Sequence, residues 1–143
     1  VRDISWIPQL DTSYFWSIRD FKHLQRPGLY TVNSSVMWFN VSKFGWVWDN
    51  FAKQDINTVS RRYPGDQDYI HAMVDQRYKR FFADQQMQSW RWQCHDGGYD
   101  FSRRRHRTPG AGTLIPPDTS ELVFHGRPKP HEISDPEIAA HWI

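Results

Sequence analysis

Near the end of the chain, the apolar run Val123-Phe124 passes directly into His125-Gly126-Arg127-Pro128-Lys129-Pro130. An imidazole, a glycine and two cations are gathered in one short turn. An imidazole beside oxygen ligands suits a divalent ion such as manganese, with magnesium as the alternative. Glycine lets the backbone approach a ligand closely. The two prolines restrict the conformers of the turn. His125 is the candidate metal ligand, and Arg127 and Lys129 the candidate counter-charges. Together they could neutralise a departing diphosphate, the central demand of any reaction with that leaving group. By residue type alone, the segment also reads as a basic surface turn.

Two further segments could face a sugar. Gly65-Asp66-Gln67-Asp68-Tyr69-Ile70 sets carboxylates at the start of an expected helix. Such groups hold hydroxyls through charge-assisted hydrogen bonds, although Asp66 could equally serve only as a helix cap. Asn33-Ser34-Ser35 leads into the apolar run Val36-Met37-Trp38-Phe39. Asn33 could orient a hydroxyl through its amide, or act as an ordinary turn residue. Trp90-Arg91-Trp92 alternates on an expected strand, which puts both indoles on one face, for sugar stacking at Trp90 or for core packing. His23, His95 and His141 show no ligand spacing.

The three segments resemble the C-terminal part of retaining glycosyltransferases of the glycogenin and lipopolysaccharide galactosyltransferase type. That family carries His-x-x-Gly-x-x-Lys-Pro-Trp near its end, and Gly126, Lys129 and Pro130 match its Gly-x-x-Lys-Pro. The resemblance implies that His125 ligates manganese and that Gly126 and Lys129 contact the nucleotide diphosphate. Here the imidazole directly precedes the glycine instead of standing three residues before it, and His131 replaces the tryptophan. Asp66-Gln67-Asp68 resembles the family's Asp-Gln-Asp element, which implies that Asp66 and Gln67 face the transferred sugar and the reacting carbon, with Asp68 on the substrate side. His71 stands where the family has asparagine. Asn33-Ser34-Ser35-Val36-Met37 is similar to the element beside the donor sugar, with Ser35 in place of glycine. The family's Asp-x-Asp metal element is not found. The chain is therefore expected to be the C-terminal half of an enzyme of the GT-A fold, inactive alone and without its nucleoside pocket. Implied partners are a nucleotide sugar and a carbohydrate or lipid-linked acceptor. A non-catalytic carbohydrate-binding module is the alternative from another class.

The elements that must position these residues follow from pattern. Tyr14 to Asp20 is aromatic and β-branched and reads as a strand. Val36 to Asn40 is a short buried strand. Ser42 is expected to cap a helix over about Lys43 to Lys53, with Phe44, Val47, Trp48 and Phe51 on one apolar stripe. Further helices are expected from Ile56 to Arg62 and from Asp66 to about Val74. Tyr78 to Ala83, Met87 to Gln93 and Glu121 to Phe124 read as strands. Val1 to Leu10 reads as an extended piece with a turn at Pro8. His95 to Pro117 has no period and reads as one long loop. Ser134 or Asp135 caps a last helix with Pro136 in its first turn. This irregular alternation gives an α/β class, a mixed sheet flanked by helices in one domain.

The chain has 143 residues, enough for a globular domain to bury roughly 68–70% of its unfolded surface. One cysteine, Cys94, excludes an internal disulfide framework and fits a reducing compartment. A formal net charge of +2 does not argue for nucleic acid. Arg103-Arg104-Arg105-His106-Arg107 admits an RNA-binding domain as a third reading, but it lacks the rest of a binding module, so no nucleic-acid partner is expected. A solvated loop or a site for an anionic acceptor fits that run better. No apolar run is long enough to span a bilayer. The expected location is the cytoplasm, with the membrane surface as a variant of it.

Overall fold

The computed structural model describes residues 3–141. They group into two compact units: Ser5–Phe82, and the remainder at 3–4 and 83–141. The class is α/β, with small sheets of parallel and antiparallel pairs in place of one mixed sheet. Among the described residues no helix is long and apolar enough to cross a membrane.

In the unit Ser5–Phe82, the expected first strand is β1, Phe15–Arg19. It is central, with β2 (Val32–Trp38) antiparallel on one side and β3 (Lys79–Phe81) parallel on the other. β2 starts earlier than expected, so Asn33-Ser34-Ser35 lies within a strand and not in a turn before it. Its turn chemistry survives as an irregularity. Ser17 pairs with Met37, but the next residue, Ile18, pairs with Asn33. The cause is local: Asn33 Oδ1 accepts from the Ser35 amide at 2.9 Å, which takes that N–H out of the ladder.

The expected helix after β2 is two helices, α1 (Val41–Phe44) and α2 (Trp46–Ala52). Asn40 caps the first, not Ser42: its Oδ1 accepts from the Ser42 amide at 2.9 Å. Only glycine fits at the junction, since a Cβ on Gly45 would lie 2.6 Å from the Val41 carbonyl oxygen. The break also splits the expected stripe. Phe44 and Val47 are buried, whereas Trp48 is 67% exposed. α3 (Ile56–Arg62) is capped by Asp55 and matches its expectation. α4 (Asp66–Met73) has Gly65 as its cap residue, so Asp66 is the first helical residue. Phe15, Phe44, Val47, Val59, Tyr69 and Val74 form the core of this unit. At the start of the chain, Ile7–Gln9 form a 3-10 turn with Pro8 in it, as expected, while residues 3–6 before it form no strand. The first two residues of that expectation lie outside the described residues.

In the other unit, β4 (Met87–Ser89) pairs in parallel with β7 (Glu121–Val123). The expected strand stops at Ser89, and Trp90–Cys94 turns into a π-helical segment. Local side-chain bonds win over the ladder there. Gln93 Oε1 accepts from the Ser89 amide at 2.8 Å, and Ser89 Oγ accepts from the Trp92 amide at 3.1 Å. The expected long loop contains a small hairpin, β5 (Tyr99–Asp100) with β6 (Arg105–His106), and an isolated bridge between His95 and Thr113. Asp135 ties it down. One carboxylate oxygen accepts from the Thr113 amide at 2.8 Å, and the other caps α5 (Pro136–His141) through the Glu137 amide at 2.9 Å. Cys94 is fully buried, and burial pushes its thiol up to about 12, which makes it a core residue and not a nucleophile.

Candidate functional site

The irregular step in β2 and the first turn of α4 bring two of the sugar-facing segments side by side. Ser34 Oγ donates to Asp66 Oδ2 at 2.6 Å, across 32 positions of sequence. Gln67 Nε2 donates to Asp20 Oδ2 at 2.7 Å. Asp20 stands directly after β1 and is buried at 6% exposure. Its other oxygen accepts from the Lys22 amide at 2.8 Å. With its amide nitrogen held by a buried carboxylate, Gln67 turns its carbonyl oxygen to other donors. Asn33 is buried, and its Oδ1 accepts from the Ser35 amide. Asp68 is exposed, one residue beyond Gln67.

His71, one turn beyond Gln67 on α4, meets the start of β2 and Lys79. Its Nδ1 faces the Val32 amide at 3.4 Å and Lys79 Nζ at 3.3 Å. Lys79 Nζ donates to the His71 carbonyl at 2.6 Å. Burial lowers the imidazole below its ordinary value, and the Lys79 charge adds to the effect. Burial likewise lowers the Lys79 ammonium. The pair therefore favours a neutral imidazole whose Nδ1 accepts.

The His125 segment belongs to the other unit. His125 follows β7, and the parallel register sets Val123 opposite Ser89. Ser89 is fully buried, and its Oγ lies 2.9 Å from His125 Nε2. The imidazole is thus anchored at the paired ends of two strands. Gly126 has a φ of +75°, a left-handed conformation that favours glycine, with no atom within 4 Å of where a Cβ would sit. Arg127 is exposed and pairs with Glu132 at 3.1 Å. The Lys129 amide donates to the same carboxylate at 2.7 Å, while the Lys129 residue is exposed. Glu132 therefore shapes the turn and offsets one of its two cations.

Among the described residues, no three His, Cys, Asp or Glu side chains are gathered as a metal would need. His125 is one nitrogen, and the carboxylate nearest in the turn, Glu132, is spent on Arg127 and the Lys129 amide. These residues do not by themselves complete the ligand set of a divalent ion.

Trp90 corrects the sequence reading. On the π-helical segment, Trp90 and Trp92 do not share a face. Trp90 is 6% exposed, stacks between His95 and Phe124 at centroid distances of 4.5 and 5.5 Å, and donates to Thr113 Oγ1 at 2.9 Å. It is a core residue with Cys94 and Ile138. Trp92 meets Tyr99 and Phe101 instead. The Arg103 to Arg107 run occupies the hairpin of β5 and β6, where Arg103 pairs with Asp100 at 3.7 Å.

Asp20 and Ser89 were not singled out from the sequence. Each is a polar residue at, or directly after, the end of a largely buried strand, and that position is the signal that could have found them. Compared with protein-family models, with characterised proteins and with solved structures, the chain matches none.

Proposed function

We propose that the chain is part of a nucleotide-sugar glycosyltransferase of the GT-A fold, moving a sugar from a nucleotide diphosphate to a hydroxyl acceptor. The observation that supports this best is the hydrogen bond between Ser34 and Asp66, together with that between Asp20 and Gln67. Segments that resemble one family's sugar-facing elements, far apart in sequence, present their polar groups together and with fixed orientations.

In the proposed reaction the bond from the anomeric carbon to the diphosphate oxygen breaks, and a bond to the acceptor oxygen forms. The acceptor proton leaves with the departing phosphate or with solvent. Asp66 and the carbonyl of Gln67 accept hydrogen bonds from sugar hydroxyls and hold the ring. Asn33 and Asp68 stand on either side of that pair in the proposal. In the other unit, the resemblance assigns contact with the diphosphate to the Lys129 ammonium and the backbone at Gly126, joined in the proposal by the Arg127 guanidinium, groups suited to its negative charge.

The test is binding, then turnover. In the full-length protein, which would include the nucleoside pocket, titration with uridine and guanosine diphosphates in the presence of manganese should give saturable binding for one of them. Lys129→Ala should weaken it by about tenfold or more, the range of a lost charge-assisted contact. Release of nucleoside diphosphate from the matching nucleotide sugar should fall in Asp66→Asn and Gln67→Ala. Identical titration curves for wild type and Lys129→Ala defeat the assignment.

A further inference from the structure

An apolar cavity of about 460 Å³ lies within the unit Ser5–Phe82, among β1, β2 and the four helices α1 to α4. That volume falls in the range of small-molecule sites, roughly 300–1,000 Å³. Its walls are mainly apolar, with the aromatic rings of Phe39, Phe44, Phe51 and Tyr69 among them. The Tyr69 hydroxyl is already used, donating to the Val47 carbonyl and accepting from Gln54 Nε2, each at 3.3 Å. At the mouth, Trp48 and Ile56 are 67% and 59% exposed, an unusual use of large apolar side chains on a helical surface.

The lining says what could occupy it. No lysine or arginine contributes, so a phosphate or a nucleotide has no counter-charge there. Apart from the tyrosines, Ser60 and Asp66 are the polar side chains of the lining, too few for the hydroxyl rim of a bare sugar. Asp66 is also the carboxylate held by Ser34. One residue thus belongs both to an apolar cavity and to the polar cluster at the start of α4.

We infer that the cavity takes the alkyl or aryl body of an amphipathic glycoside or alcohol, whose hydroxyl-bearing end lies at Asp66. The inference rests on the transferase reading in one respect: the occupant would be the acceptor, and its apolar part would place a hydroxyl beside the sugar-facing residues. It narrows the acceptor class from a carbohydrate or lipid-linked acceptor to a glycoside or alcohol with an apolar alkyl or aryl body.

The experiment is calorimetric titration of the whole chain with n-octyl β-D-glucopyranoside, kept below its micelle concentration, and with methyl β-D-glucopyranoside. The octyl compound should bind saturably at one site, about tenfold or more tighter than the methyl compound, since the burial of a few methylenes suffices for that. Ser60→Trp fills the cavity from an exposed position, and Ile56→Asp makes its mouth polar from another. Each should weaken octyl glucoside binding by about tenfold without moving the melting temperature by more than a few degrees. Equal affinity for the octyl and methyl compounds overturns the inference, as does retained octyl affinity in both folded variants. Binding of nucleoside diphosphate that depends on Lys129, with no octyl preference, leaves the transferase reading standing and removes the cavity assignment. Octyl binding that both variants abolish, without nucleotide binding, supports the cavity as a ligand site and removes the acceptor role.

Discussion

Asp20 does its work through two oxygens, one on the Lys22 amide and one on the Gln67 side chain. Removing a buried acceptor leaves both donors without their partner, at a cost of about 1–3 kcal/mol for such groups. Asp20→Ala should therefore lower the unfolding free energy by that amount in urea. It should also lower nucleoside diphosphate release more than Lys22→Ala does, because only Asp20 orients Gln67. A variant as stable and as active as wild type would remove Asp20 from the site. Trp90 makes the opposite case. As a core residue packed on Phe124, His95 and Ile138, its truncation to alanine should cost about 3–5 kcal/mol. A sugar platform on the surface would instead lose carbohydrate binding with little change in melting. Residue types at both places were legible in the sequence; which side chain holds which was not. Hydrogen-bond partners 47 positions apart, such as Asp20 and Gln67, are set by strand register and helix placement, which residue type does not encode locally.

Elements are legible where a short apolar and β-branched run is bounded by polar residues, as at β1 and β7, or where a capping residue precedes a helix, as Asp55 does at α3. They were misread where a polar side chain bonded its own backbone. Asn33 irregularises β2, Asn40 takes the cap assigned to Ser42, and Ser89 with Gln93 turns a strand into a π-helical segment. The loop from His95 to Pro117 has no period because its order comes from Asp96 and Asp135, whose carboxylates accept from Gly112 and Thr113 amides. β7 carries a further, testable feature. Burial raises the Glu121 carboxyl above its ordinary value of 4.5. The folded state then binds a proton more tightly than the unfolded chain, so stability is fully present below that ordinary value and falls as pH rises through the raised one. Glu121→Gln should raise the melting temperature at pH 7 and leave it nearly unchanged at pH 4. Equal shifts at both pH values would show that charge burial is not the cause.

Each unit closes its own hydrogen-bonded sheets. β1 is paired on both sides by strands of Ser5–Phe82, and β4, β5, β6 and β7 pair only among themselves. Each unit also has its own apolar cluster, Phe15 to Val74 in one, Trp90, Cys94 and Ile138 in the other. The sequence showed no such division, because neither a linker composition nor a charge change marks Phe82 and Ala83. A chain of residues 5–82 keeps a three-stranded sheet covered by helices, the minimum that gives a sheet independent stability. Small size makes it marginal, since a domain near that length buries only about 60% of its unfolded surface. It should fold cooperatively, with a dispersed amide spectrum and a melting temperature below that of the full chain. Its pH dependence should carry the mark of His71. The imidazole is lowered in the folded state, so the unfolded state binds the extra proton. Stability should be fullest above pH 6.5, the ordinary imidazole value, and decline as pH falls through it toward the lowered one. His71→Gln should flatten that decline. A peptide of residues 5–82 with collapsed, undispersed amide signals at pH 7.5 would show that this sheet and its core do not suffice alone.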